Sequence, residues 1–176
     1  QRFSDLVNND LANTIGNLLN RTSSMARKWF DNSVPPHTVD RHINHPLALK
    51  AQATIQTVMS CMPELGFKSA SEAILQLAIA ANGHLNDTAP WSRMEQPGEE
   101  HSVANDLYVV LESTRIVGLL LAPLLPDLSS RILDQLDCSL DPEHWMDQLQ
   151  WGGLTSGSEL PKPVPVMARL ELDEDL

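Results

Sequence analysis

Residues 103–121 form a helical pattern that is apolar around most of its circumference. A helix with no polar face has to be covered by other elements on nearly every side. The sequence therefore predicts that this segment lies at the centre of an α-helical bundle. Arg115 lies within it and is expected to pair with a carboxylate, either Asp87 or Glu112, because an unpaired charge is costly to bury.

Four more helices are predicted from apolar side chains that recur every three or four residues. They cover residues 3–30, 47–62, 71–86 and 127–136. Pro46 is expected to open the second helix, and Ser69-Ala70-Ser71-Glu72 resembles a capping box at the start of the third. No alternating pattern is long enough to predict a β-sheet. The predicted fold is all-α, a bundle of five helices.

The helical periodicity of the sequence ends after the predicted helices. Residues 152–165 contain Gly-Gly, Ser-Gly and Pro-x-Pro-x-Pro patterns, and are expected to form an extended segment packed on the bundle. Residues 171–176 are rich in carboxylates and are expected to form a frayed acidic tail. The predicted organisation is one helical domain over residues 1–170, followed by that tail.

Charge is distributed unevenly along the chain. The formal net charge is -11, which opposes nucleic-acid binding at long range. The first 50 residues nevertheless contain more basic than acidic side chains. A mildly positive surface can therefore remain on an otherwise acidic protein.

The sequence shows no sign of a membrane or secreted protein. No apolar run approaches the ~20 residues that span a bilayer, and no signal-peptide pattern opens the chain. The two cysteines, Cys61 and Cys138, are far apart and have no metal-like spacing. These features predict a cytoplasmic location without disulfides.

Enzyme active-site motifs are absent from the sequence. There is no Gly-rich phosphate loop, no Gly-x-Ser-x-Gly and no His-Glu-x-x-His. His42 and His45 are the nearest approach to a metal pair, but we expect them to lie in a solvated loop rather than bind zinc. We therefore predict neither a catalytic residue nor a metal ligand.

The first helix contains unusually many asparagines for a helix, in which asparagine is a weak former. Asn13, Asn17 and Arg21 follow at intervals of four residues and form one stripe, away from the apolar face. Amides and a guanidinium can together read the edge of an unpaired base. The same side chains could instead cap loops or hydrogen-bond to other helices.

Trp91 follows Ala89-Pro90, where the third helix is expected to end. An exposed indole at a helix end can serve as a stacking platform for a nucleic-acid base. The alternative is that Trp91 folds back and seals the end of the bundle. Trp29, Trp145 and Trp151 are expected to bury their rings.

Several blocks of sequence, taken in order, resemble the α-helical anticodon-binding domain of methionyl-tRNA synthetases. They are Asn9-Asp10-Leu11-Ala12-Asn13 with Gly16-Asn17 and Arg21, then Asp87-Thr88-Ala89-Pro90-Trp91, Leu111-Glu112-Ser113-Thr114-Arg115 and Trp151-Gly152-Gly153-Leu154. The first block also occurs in the isoleucyl, valyl and leucyl relatives. The Thr-Ala-Pro-Trp element is what favours the methionyl family.

The resemblance implies recognition of the CAU anticodon of tRNA(Met). It assigns anticodon contacts to Asn17, Arg21 and Trp91, and more weakly to Asn86 and Asp87. Asn13 is added as an anticodon-binding candidate because it lies on the same stripe of the first helix. It further implies a parent enzyme that attaches methionine to tRNA, with ATP and Mg bound in an N-terminal catalytic domain and no cofactor in this segment. The expected partners are the anticodon loop of tRNA(Met) and that catalytic domain.

The chain departs from the family pattern after the tryptophan. Family members often continue with a lysine-rich helix, whereas this chain has Ser92-Arg93-Met94-Glu95. Fewer phosphate contacts are therefore expected there. Together with the charge of -11, this leaves a second possibility, a helical protein–protein interaction module that has kept the fold and lost RNA binding.

Overall fold

The structure is a computed structural model that describes residues 2–37 and 42–166. The predicted acidic tail lies outside these residues. Seven α-helices are described: α1 (Arg2–Trp29), α2 (Pro46–Cys61), α3 (Phe67–Thr88), α4 (Pro90–Arg93), α5 (Glu100–Leu121), α6 (Pro126–Asp134) and α7 (Trp145–Gln148). The all-α prediction is confirmed, with five long helices and two single-turn helices, α4 and α7.

Helix α5 lies at the centre of the bundle, as its composition predicts. Every residue from 107 to 121 is buried, and α5 packs against α1, α2, α3 and α6. Complete burial of a Leu, Ile or Val side chain contributes about 1.5–3 kcal/mol. The core therefore depends on α5 more than on any other single helix.

Arg115 pairs with Glu112, one of the two predicted carboxylates, and both side chains are buried. Burial alone would lower the pKa of Arg115, but the hydrogen bonds with Glu112 outweigh it and raise that pKa. Arg115 also donates to the carbonyls of Gln148, at 2.6 Å, and Gln150, at 2.8 Å. The guanidinium therefore stays charged, with partners on two sides.

The Glu112 carboxylate binds the loop that follows α7. It accepts from the backbone N–H groups of Gly152, Gly153 and Leu154, at 2.9, 3.0 and 3.2 Å. A Cβ on Gly153 would lie 2.4 Å from Cζ of Arg115, so only glycine allows this approach. The ion pair thus attaches the chain after α7 to the central helix.

The extended segment packs on the bundle as predicted. The backbone N–H of Val34 donates to Ser158 at 2.9 Å, and that of Leu160 donates to Asn32 at 2.8 Å. The Asn32 side chain also donates to the Leu160 carbonyl at 2.7 Å. These bonds join the segment to the chain that leaves α1.

The predicted capping box is wrong, because α3 begins earlier, at Phe67, with Gly66 as its N-cap. Leu65 adopts a left-handed conformation, with φ 58°, and Gly66 donates its N–H to Cys61 at 2.9 Å. The chain therefore reverses immediately after the 3-10 turn Met62–Glu64 and enters α3 at once.

None of the helices in residues 2–37 and 42–166 combines the length and the apolar character that a membrane-spanning helix needs.

Candidate nucleic-acid interface

Helix α1 separates an apolar face from a row of amides. Leu11, Ile15 and Leu18 are fully buried, whereas Asn13 and Asn17 are exposed. Neither amide, nor that of the exposed Asn20, hydrogen-bonds to the part of the chain that the structure describes. The alternative, in which the stripe caps loops or hydrogen-bonds to other helices, therefore does not apply to Asn13 and Asn17 within the described residues, but it does apply to Arg21, which hydrogen-bonds to α3. The amides of Asn13 and Asn17 can still bond to a ligand.

Arg21 joins α1 to the C-terminal half of α3. Its Nη2 donates to Oδ1 of Asn86 at 3.0 Å, and its Nη1 donates to Oδ1 of Asn82 at 3.4 Å. Arginine has five N–H donors, so these two bonds fix the guanidinium and leave three donors for another molecule. The site prediction did not include Asn82, although it lies one helical turn from Asn86 on α3.

Trp91 is partly exposed, with 47 % of its surface accessible, so the alternative in which it seals the bundle is wrong. The ring lies beside Arg21, whose Cζ is 5.3 Å from the ring centroid, within cation–π range. In contrast, Trp29, Trp145 and Trp151 pack against the core as predicted. Trp91 is more exposed than the other three tryptophans, which are only partly accessible.

The end of α3 explains where Trp91 lies. Ala89 adopts a left-handed conformation, with φ 42°, and closes α3 by donating its N–H to Leu85 at 3.1 Å. Pro90 cannot extend α3, because it has no N–H, and it begins α4 instead. Trp91 is consequently the second residue of a new helical turn that does not continue α3.

The predicted site residues fall into two groups. Arg21 contacts Asn86 and Trp91, whereas the side chains of Asn13, Asn17 and Asp87 make no hydrogen bond within the described residues. Asn17 lies one helical turn from Arg21. Asp87 is exposed beside Asn86 and makes no hydrogen bond or ion pair within the described residues. Asn13 lies a further turn along α1, roughly 12 Å from Arg21 by helical rise.

Asn13 and Asn17 line a groove of about 270 Å³. Its other wall consists of residues 163–166, and Gln135 also contributes. Gln135 Oε1 accepts from the N–H of Val164 at 3.0 Å, which holds this wall in place. This wall was not predicted. The Pro-x-Pro-x-Pro pattern predicts an extended segment but gives no indication of which helix that segment faces.

The two histidines considered as metal ligands, His42 and His45, lie in different surroundings. His42 is buried, so the expected solvated loop is wrong at this residue. His45 caps α2 by accepting from the N–H of Leu47 at 3.1 Å, and burial together with the neighbouring His84 lowers its pKa. Among the described residues, no group of three His, Cys, Asp or Glu side chains could hold a metal ion.

The bundle and its site define the class of α-helical anticodon-binding domains, and comparison with known proteins identifies the family. Residues 34–175 match the sequence profile described as the anticodon binding domain of methionyl tRNA ligase. The chain belongs to this family.

Similar proteins agree with the profile. The chain is 37 % identical to the methionine–tRNA ligase of Synechocystis over 98 % of its length and 40 % identical to that of Thermosynechococcus vestitus over 97 %. The crystal structure of the free Mycobacterium tuberculosis methionyl-tRNA synthetase superimposes on 94 % of the chain, with a TM-score of 0.79 and 30 % identity. The chain spans 34 % of each of these proteins.

Proposed function

We propose that this chain recognises the CAU anticodon of tRNA(Met) by stacking the cytosine on Trp91. The observation that carries this proposal is the juxtaposition of the exposed indole with the Arg21 guanidinium, 5.3 Å away. An aromatic ring gives any base a stacking surface, and the guanidinium beside it adds directional donors. Together they provide both affinity and selectivity.

Selectivity arises from the polar groups around the ring. The exocyclic amine of cytosine can donate to the Asn17 amide oxygen, while the free N–H donors of Arg21 match its acceptors. A base with an acceptor in place of that amine would face unpaired groups, which is how such sites discriminate. Asn86 already accepts from Arg21, so the guanidinium is oriented before the ligand arrives.

A neighbouring base of the loop occupies the groove between α1 and residues 163–166. The unpaired Asn13 and Asn17 amides supply hydrogen bonds there, and the apolar wall excludes water from one side. Asp87 lies beside Asn86 and is available to accept from an amine. The proposal thus assigns Arg21, Asn86, Asp87 and Trp91 to the cytosine, Asn13 to the neighbouring base, and Asn17 to both.

The basic residues of α1 supply the attraction for phosphates. Arg27 and Lys28 are exposed in the last turn of the helix that carries Arg21. We assign the chain to an enzyme that attaches methionine to tRNA in an ATP-dependent reaction, since its relatives are methionine–tRNA ligases. The cytoplasmic location stays a prediction from the sequence. ATP and Mg, with the catalytic domain, then belong to residues outside this chain.

The test is a binding titration with a CAU anticodon stem-loop, comparing the wild-type chain with Trp91→Ala. We expect the substitution to weaken binding by about 1–3 kcal/mol, the stacking energy of one base. Phe67→Ala is the matched control, because Phe67 is also 47 % exposed but lies at the opposite end of α3. Equal affinity for a loop in which uridine replaces the cytosine would rule the proposal out.

The second candidate is the protein–protein interaction module. An apolar groove lined by Ile43, Ile55 and Met146 favours it, since Ile43 and Met146 are both more than half exposed. That module would show no salt-dependent binding of any tRNA, and it would retain a protein partner in pull-downs. The exposed Trp91 beside Arg21, with Asn17 one helical turn away, makes anticodon recognition the better account.

A further inference from the structure

We propose that Arg93 is a positioning residue for Trp91: it clamps the single turn of α4 to α3 and α5, and so holds the indole where a base can stack. This inference rests on the proposed role of Trp91 in anticodon binding. It assigns to Arg93 a function other than the phosphate contact expected of a basic side chain after the tryptophan.

One nitrogen of Arg93 spans the junction between α3 and α4. Its Nη1 donates to the carbonyl of Thr88, the last residue of α3, at 3.1 Å. The same nitrogen donates to Oδ2 of Asp106 on α5 at 2.7 Å. The turn that contains Trp91 is therefore tied to the helix before it and to the helix after it.

The other two nitrogens complete the clamp. Nε and Nη2 donate to Oε2 of Glu99, at 3.0 and 2.8 Å, and Nη2 also donates to the Ser102 hydroxyl. With the bonds to Thr88 and Asp106, all five N–H donors of the guanidinium have acceptors. None is left for a phosphate group.

Asp106 is itself held from a second side. Its Oδ1 lies 3.1 Å from Nε2 of His84 on α3, whose ring packs edge-on against His45 at 4.8 Å. Burial alone would raise the pKa of Asp106, but the hydrogen bonds from His84 and Arg93 outweigh it and lower that pKa. The acceptor of the clamp is therefore an ionised carboxylate with a fixed orientation.

Trp91 lies on a helix that is too short to persist without tertiary contacts. That helix has four residues, far fewer than the roughly 12 that an isolated helix needs to persist in water. The left-handed Ala89 just before the helix is unfavourable for a residue with a Cβ. The indole is 47 % exposed and has Arg21 within cation–π range, so the position of its own helical turn decides how it is presented to a base.

The experiment combines NMR with RNA titration on the full chain carrying Arg93→Ala. The four tryptophans give four indole N–H signals, and the Trp91 signal is assigned from Trp91→Phe. We expect Arg93→Ala to shift or broaden the Trp91 signal, while those of Trp29, Trp145 and Trp151 stay in place. Stem-loop affinity should fall about two- to tenfold, since a loosened side chain has to be ordered on binding.

Salt dependence separates positioning from phosphate contact. Loss of a phosphate contact lowers the slope of log K against log salt concentration by about one, whereas a positioning residue leaves the slope unchanged. Arg27→Ala is the control that should lower the salt slope, because Arg27 is an exposed arginine on α1 that we propose attracts phosphates. Arg93→Lys should restore little affinity, because lysine cannot make the five-bond fork, whereas it would restore a simple phosphate contact.

A double variant links the effect to Trp91. On a Trp91→Ala background, Arg93→Ala should cause no additional loss of affinity, because it acts through the missing ring. An additive loss, a reduced salt slope or full recovery in Arg93→Lys would each overturn the proposal. If Arg93→Ala perturbs all four indole signals, the substitution has disturbed the whole fold. The affinity and the salt slope of Arg93→Lys then decide between positioning and phosphate contact. If Trp91→Ala itself leaves affinity unchanged, the proposed function fails, while the indole spectra still report on the clamp.

Discussion

Two arginine–carboxylate networks, Glu112–Arg115 and Arg93–Asp106, differ in how deeply they are buried and in what they hold. The first is enclosed in the core, where Glu112 is fully buried and Arg115 is 6 % exposed. The second lies at the surface, where Arg93 is 24 % and Asp106 14 % exposed. The first attaches a backbone loop, whereas the second holds a side chain that remains open to solvent.

The comparison shows that the same chemistry serves two purposes at two depths. A fully enclosed pair with all its partners is costly to break, because removal of one member leaves a buried charge. A partly exposed pair is weakened by solvent and contributes less to the free energy of unfolding. We therefore expect changes in the first network to affect stability, and changes in the second to affect binding.

Glu112→Ala tests this difference most severely. It leaves the Arg115 charge buried without its partner. The three backbone N–H groups of residues 152–154 also lose their acceptor. We expect the free energy of unfolding to fall by about 3–5 kcal/mol, measured by urea denaturation. A loss below about 1 kcal/mol, of the size found for surface ion pairs, would contradict the comparison.

Gly153→Ala tests the same network by steric pressure. The new Cβ would lie 2.4 Å from Arg115 Cζ, so the guanidinium has to move away from Glu112. We expect a loss of about 1–3 kcal/mol in the free energy of unfolding, as for overpacked cores. Gly83→Ala is the matched control: a Cβ there meets nothing within 4 Å, and the helical position favours alanine by about 0.5–1 kcal/mol.

Asp106→Asn tests the surface network through pH. The pKa of Asp106 is lowered in the folded protein, so its ionised form adds stability above the ordinary value of 3.8, and this is lost as pH falls through the folded pKa. We expect the variant to be about 1 kcal/mol less stable near neutral pH, after solvent screening. The difference between the two proteins should disappear in urea titrations well below pH 3.8. A difference that stays constant with pH would mean that the charge is not involved.

The sequence predicts the bundle well because burial is encoded locally. An all-round apolar helix requires a central position, and the structure confirms this for α5. The start of α3 was predicted wrongly because a capping-box pattern occurred by coincidence inside the helix, while the actual start depends on a left-handed Leu65 and on Gly66. No propensity of Leu65 indicates that conformation.

The site is predictable only in part. The periodicity of α1 identifies Asn13, Asn17 and Arg21 as one stripe. The position of Trp91 just past the predicted end of a helix indicates an exposed indole, and the resemblance agrees with it. The sequence does not indicate that Asn82, 61 residues from Arg21, lies next to it, nor that Arg93 turns inward. Both depend on how helices pack, and an arginine in a polar stretch is equally compatible with a solvated side chain.

The partners of Arg21 determine how the protein meets a polyanion. Among the described residues, its guanidinium is oriented by the neutral amides of Asn82 and Asn86 and by no carboxylate, so no ion pair cancels its charge there. A protein with a net charge of -11 thus keeps a small cationic target beside the Trp91 ring. If the proposed function is right, we expect RNA to associate faster at low ionic strength, where this charge is least screened.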